Sequence, residues 1–143
     1  MIFLATKNSH SLALPYFEAP SPSAGFPSPA ADFVEGQLDL NLHLVRRPEA
    51  TFFVRISGRS LERAGIHDGD LAVVDRSLTP RTGQIVVFVL YGELMVKRLR
   101  YANDGVWFES DSEDPRYKPF KVPDDASMEI WGVVTSTIRD HTA

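Results

Sequence analysis

Cysteine is absent from the 143 residues. That removes thiol nucleophiles, thiolate metal sites and disulfide staples together, and it fits a cytoplasmic protein. Lysine is scarce: Lys7, Lys97, Lys118 and Lys121 are the whole set. An excess of positive charge is missing too, since 19 acidic residues outnumber 15 Lys and Arg and leave a formal charge of −4. A broad nucleic-acid-binding face needs clustered cations to displace counterions from phosphate, so direct DNA binding is not expected. No apolar run approaches the roughly 20 residues of a membrane span. The opening "MIFLA" is interrupted by Lys7, Asn8, Ser9 and His10 before a signal-peptide core forms. A cytoplasmic chain with no membrane contact is the expectation.

Proline, by contrast, is concentrated. Five of the ten prolines (Pro15, Pro20, Pro22, Pro27 and Pro29) fall in the first 30 residues, where neither helical nor strand periodicity persists. This composition predicts an extended, Pro-rich arm over residues 1–39, with polyproline-like stiffness around "APSPSAGFPSPA" (19–30), followed by a β-rich domain over 40–143. "DLNLHLVRR" (39–47) reads as a short helix capped by Asp39 and stopped before Pro48, although its alternating leucines also permit a strand.

From Thr51 onward, short runs rich in Val, Ile, Phe and Tyr alternate with turn signals. The runs are "TFFVRIS" (51–57), "LAVVD" (71–75), "QIVVFVLY" (84–91), "ELMVKRLRY" (93–101), "GVWFES" (105–110) and "MEIWGVVTSTI" (128–138), and the turns include "HDGD", "TPRTG" and "NDG". The pattern predicts a compact, mainly antiparallel β domain with one or two short helices.

Within "VRISGRSLERAG" (54–65) a strand ends at Ser57-Gly58 and a short helical pattern begins at Ser60. Ser60 is therefore either a helix N-cap, its hydroxyl accepting from amides two and three residues on, or a nucleophile exposed at a strand-to-helix turn. A nucleophile needs a base. His10 and His141 lie near the termini, His67 sits in a turn and His43 alternates with leucines. None suits a Ser-His-Asp arrangement, and none has metal-ligand spacing with another, so neither metal nor cofactor is expected. Lys97 differs from the other lysines because strand alternation puts it on one face with Met95, Leu99 and Tyr101. Burial on such a face disfavours the ammonium form and supplies a neutral amine that can accept a proton. The competing reading is a lysine that snorkels from an edge strand and keeps its charge in water. In a Ser-Lys dyad, Ser60 would attack a carbonyl, Lys97 would take its proton, and the backbone amides of Arg59 and Ser60 would bind the oxyanion.

"SGRSLERAGIHDGDLAVVD" together with "GELMVKRL" resembles the self-cleaving domain shared by LexA-type repressors and the UmuD proteins of SOS mutagenesis, and "AGFPSPAADFVEGQLDLN" (24–41) resembles UmuD specifically. The resemblance runs from Gly25 to about Val134 and implies a strongly bent antiparallel β fold of the LexA and signal-peptidase type. It places the nucleophile on Ser60, the general base on Lys97 and the scissile bond on Ala24-Gly25. That bond sits in the Pro-rich arm, where an extended backbone, a small alanine and an unhindered glycine suit a protease cleft. Two residues depart from the family pattern: Arg59 stands where relatives commonly have an acidic or amide residue, and Leu61 where they have methionine. Only 24 residues precede Gly25, fewer than a helix-turn-helix domain requires, which points to the mutagenesis accessory branch rather than to a repressor.

The same resemblance implies a homodimer, cleavage stimulated by the RecA filament, and a trimmed product that serves a UmuC-type translesion DNA polymerase in the SOS response to DNA damage. "LALPYF" (12–17) is similar to sliding-clamp-binding peptides, with packing of Leu14, Tyr16 and Phe17 as the competing use. Alternatives to self-cleavage are a catalytically idle dimeric scaffold of the same fold and a signal-peptidase-like enzyme acting on other proteins. The residues from Gly25 to Asp39 could span about 45 Å when extended, which leaves cleavage in cis and in trans both open.

Overall fold

The computed structural model describes residues 12–20 and 34–142. They belong to two units that divide between Arg46 and Arg47. In the first, strands β1 (Ala13–Phe17) and β2 (Val34–Asp39) pair antiparallel, from Ala13 opposite Asp39 to Tyr16 opposite Gly36, with a register shift before Phe17 meets Val34. Strand β1 lies in the Pro-rich segment, where the sequence shows no persistent strand periodicity. Pro15 is compatible with it because a two-stranded sheet consists only of edge strands, where a missing N–H is tolerated.

Helix α1 (Leu40–Leu44) follows β2 directly. Its start is fixed by Asp39, whose Oδ1 accepts from the amides of Asn41 at 3.0 Å and Leu42 at 3.4 Å. This cap decides between the helix and the strand that the alternating leucines also permit. The other carboxylate oxygen accepts from the Leu12 amide at 3.1 Å, so one side chain serves the helix and the segment leading into β1.

The second unit is a seven-stranded antiparallel sheet made of β3 (Thr51–Arg55), β4 (Leu71–Asp75), β5 (Ile85–Leu90), β6 (Glu93–Ala102), β7 (Gly105–Glu109), β8 (Phe120–Lys121) and β9 (Met128–Ile138). Their spatial order is β3-β4-β9-β5-β6-β7-β8, so the last strand is inserted between β4 and β5. Six of these strands lie where the sequence runs predicted them. The two-residue β8, between Pro119 and Pro123, is too short to show a period. The segment predicted to become helical at Ser60 forms a single 3₁₀ turn, Glu62–Ala64.

Strand alternation divides the core between the two faces of β5. Val87 joins Ile56, Leu61, Ile66, Ala72 and Val74 on one side. Val86, Phe88 and Leu90 join Leu99, Phe108 and Val133 on the other, where the Phe88 and Phe108 rings stack with centroids 3.6 Å apart. Register shifts at Val73/Val74 and Val87/Phe88, both against β9, mark bulges where the sheet bends. Gly132 lies beside them. A Cβ there would come within 2.7 Å of Val74 Cγ1 and 2.9 Å of the Asp75 carbonyl oxygen, so only glycine fits this close approach.

Two buried carboxylates tie loops to this sheet. Asp70 accepts from Arg139 Nε at 2.8 Å, from Arg139 Nη2 at 2.9 Å and from the His67 amide at 2.8 Å. These bonds outweigh the cost of burial and hold its pKa down at about 2. Asp75 accepts from the Ser77 hydroxyl and amide and from Arg47, and its pKa is likewise lowered, chiefly by the Ser77 hydroxyl.

Candidate active site

Ser60 lies in the connection between β3 and β4, just beyond a glycine-dependent turn. Gly58 has φ +92°, a left-handed value that costs glycine little, and its amide donates to Asp68 Oδ1 at 2.7 Å. The Ser60 carbonyl accepts from the Asp111 amide at 2.7 Å, and the Arg63 amide donates to the Asp111 carbonyl at 2.9 Å. The turn is thus stitched to the chain just after β7. The N-cap reading of Ser60 is not what the structure holds. Leu61 occupies the cap position of the 3₁₀ turn, and no side chain caps it. Among the described residues, neither the Ser60 hydroxyl nor the amides of Arg59 and Ser60 has a hydrogen-bond partner.

Lys97 occupies the middle of β6. Its neighbours across the sheet are Val86 on β5 and, one rung past the Arg98–Glu109 pair, Ser110 beyond the end of β7. The side chain is half-buried, and its amine donates to the Ser110 hydroxyl at 3.0 Å while lying 5.5 Å from the centre of the Tyr117 ring. Burial pushes its pKa below the ordinary lysine value. Among the described residues no carboxylate pairs with it; Asp111, next to its Ser110 partner, pairs with Arg98 at 3.0 Å.

Ser60 and Lys97, 37 positions apart in the sequence, line one cleft of about 250 Å³. Val54, Ile56, Leu61, Leu94, Met95 and Val96 supply apolar lining, and Arg55, Ser57 and Gly58 complete it. The cleft therefore combines a hydroxyl and amides that have no partner among the described residues, an amine of reduced basicity and largely apolar walls. That set can perform acyl transfer. Ala24 and Gly25 lie outside the described residues.

Residues 15–135 match the Peptidase S24-like family. The chain belongs to that family. The S24-like chain is 46% identical over 119 residues to Protein MucA of Salmonella typhimurium, covering 83% of this chain and 80% of MucA. It is 45% identical over 116 residues to Protein ImpA of Escherichia coli, covering 81% of this chain and 77% of ImpA. Both relatives are UmuD-family proteins. The LexA repressor of Acidithiobacillus ferrooxidans is 39% identical over 120 residues, covering 82% of this chain and 57% of the repressor.

Arg59 and Leu61, the two residues read in the sequence as departures, have different settings. Leu61 is 2% exposed and packs in the core with Ile56 and Ile66, as an apolar residue of methionine-like volume can. Arg59 is exposed beside the cleft, with its Nε 3.6 Å from Glu62 Oε1. Ser110 and Asp111 went unread in the sequence. The signal that could have found Ser110 is the β6–β7 hairpin register, which puts residue 110 across from 97 once the turn after Ala102 is recognised.

Proposed function

We propose that this chain is an autoproteolytic serine peptidase that removes its own N-terminal arm at Ala24-Gly25. The observation that carries the reading is the shared cleft: among the described residues Ser60 has an unengaged hydroxyl and half-buried Lys97 no carboxylate partner, on elements far apart in sequence. In this reading the neutral Lys97 amine takes the Ser60 proton as Ser60 Oγ attacks the Ala24 carbonyl carbon. The amides of Arg59 and Ser60 hold the oxyanion, and the lysine returns the proton to the departing Gly25 amine. Water then hydrolyses the Ala24 ester. At rest the Lys97 amine is engaged by the Ser110 hydroxyl.

Membership of the family and the likeness to MucA and ImpA support a role in SOS mutagenesis. There the chain acts as a homodimer, is stimulated by a RecA filament on single-stranded DNA, and in trimmed form serves a UmuC-type translesion polymerase. One observation favours a second reading, a binding scaffold whose dyad stays idle: among the described residues the Ser60 hydroxyl and the Lys97 amine make no hydrogen bond to each other.

Intact-mass spectrometry of the purified chain, with and without RecA filament, separates the two. Self-cleavage predicts loss of residues 1–24 in the parent and none in Ser60→Ala or Lys97→Ala. Undiminished cleavage in either variant rejects the dyad. An uncut parent under activation and at alkaline pH leaves the scaffold.

A further inference from the structure

We infer that Ser110 is a positioning residue for Lys97: its hydroxyl holds one N–H of the amine and thereby sets where the nitrogen lone pair points in the cleft that Ser60 lines. The inference rests on the dyad reading above, and its test is chosen to fail separately from it.

The geometry singles out this hydroxyl. Ser110 lies across the β6–β7 hairpin from Lys97, one rung past the Arg98–Glu109 pair, so the two side chains leave the sheet on one face. Their polar atoms meet at 3.0 Å. Met95, on the same face two residues earlier, offers no comparable acceptor, and the Tyr117 ring covers the amine from 5.5 Å. Among the described residues the charged groups nearby are committed elsewhere: Asp111 to Arg98, Arg59 to Glu62, Glu109 to Arg100, and Arg55, which lines the same cleft, to the Gly69 carbonyl at 2.9 Å. Among the described residues, Ser110 is the hydrogen-bond partner that Lys97 has.

The next residue extends the argument to the serine. Asp111 donates its amide to the Ser60 carbonyl and accepts the Arg63 amide, while its carboxylate holds Arg98, the neighbour of Lys97 on β6. Two adjacent residues thus grip both halves of the dyad, Ser110 through its hydroxyl on the lysine and Asp111 through its backbone on the serine turn. A neutral amine has two N–H groups and one lone pair, and rotation about Cε–Nζ decides which faces Ser60. A hydroxyl accepting one N–H restricts that rotation, and the same bond favours the ammonium form after proton transfer.

The decisive measurement follows the Lys97 side chain by NMR titration of isotope-labelled lysine in the full chain carrying Ser60→Ala, which keeps the arm attached. Only four lysines contribute signals, and Lys97→Arg identifies the relevant one. Ser110→Ala is expected to lower the Lys97 titration midpoint by about one pH unit, and Ser110→Thr to restore it. An unchanged midpoint in Ser110→Ala overturns the inference.

With Ser60 intact, self-cleavage at alkaline pH reads the aim of the lone pair. Ser110→Ala should lower the plateau rate about tenfold, with an unchanged unfolding midpoint and recovery in Ser110→Thr. A plateau equal to the parent's also overturns the inference. If the parent never cuts itself, the dyad reading fails while the titration still decides whether Ser110 holds the amine.

Discussion

Every side chain of β1 is exposed, whereas β5 in the seven-stranded sheet is buried on both faces along most of its length. Both strands are held by antiparallel ladders, so backbone hydrogen bonding does not distinguish them. The difference lies in what the side chains do. An isolated two-stranded ladder is marginal in water because its backbone bonds replace bonds to water at little net gain. A ladder whose side chains fill a core on each face gains the apolar burial as well. The candidate nucleophile and base are attached to the second kind of structure, since Leu61, next to Ser60, and Leu99, two residues from Lys97, are both buried core residues.

Substitutions in the two regions should separate sharply, and denaturant unfolding monitored by Trp fluorescence reads the larger effects. Phe108→Ala removes a fully buried ring stacked on Phe88 and should cost about 4 kcal/mol. Gly132→Ala forces a methyl against Val74 and the Asp75 carbonyl and should cost about 2–3 kcal/mol. A cost near zero would mean that β9 moves away freely at the bulges. Asp70→Asn weakens the contact with Arg139 and should cost about 2 kcal/mol at neutral pH.

The pH dependence of that last difference has a definite sign. The native pKa of Asp70, about 2, is depressed below the ordinary value of 3.8, so its contribution is complete above about pH 4 and fades as pH falls toward 2. Parent and Asp70→Asn should therefore converge in acid, and a gap that stays constant down to pH 2 would contradict the carboxylate's role. Smallest of all, Leu14→Ala on exposed β1 should leave the unfolding midpoint within the equivalent of about 0.5 kcal/mol. Hydrogen exchange sharpens the contrast: β1 amides should exchange far faster than those of Val86 to Phe88.

The sheet was legible in the sequence where its side chains alternate against a core. "LAVVD" and "MEIWGVVTSTI" coincide with β4 and β9 to the residue because β-branched and aromatic positions end abruptly at turn residues. β1 was not legible, since a strand with all its side chains in solvent has no burial period to reveal it and Pro15 argues against it. Of the candidate site, the positions of Ser60 and Lys97 could be read from a turn and an apolar face, and family resemblance supplied their pairing. The Asp111 bridge could not be read that way, because it depends on tertiary register, whereas the Lys97–Ser110 pairing follows from the local β6–β7 hairpin once the NDG turn sets its register. The structural setting of Arg59 also required coordinates, although the residue itself was conspicuous.

The β1–β2 ladder brackets the bond proposed for cleavage, with β1 on its N-terminal side and β2 on its C-terminal side. In the uncut chain the two strands share a tether, and their pairing proceeds at an effective concentration on the order of millimolar, whatever the protein concentration. Cutting at Ala24-Gly25 changes the molecularity of that contact from one to two. The same hydrogen bonds then join separate molecules, and diluting the sample begins to matter. Scission and departure of the arm become distinct events, the first set by chemistry in the cleft and the second by how much cut protein is present.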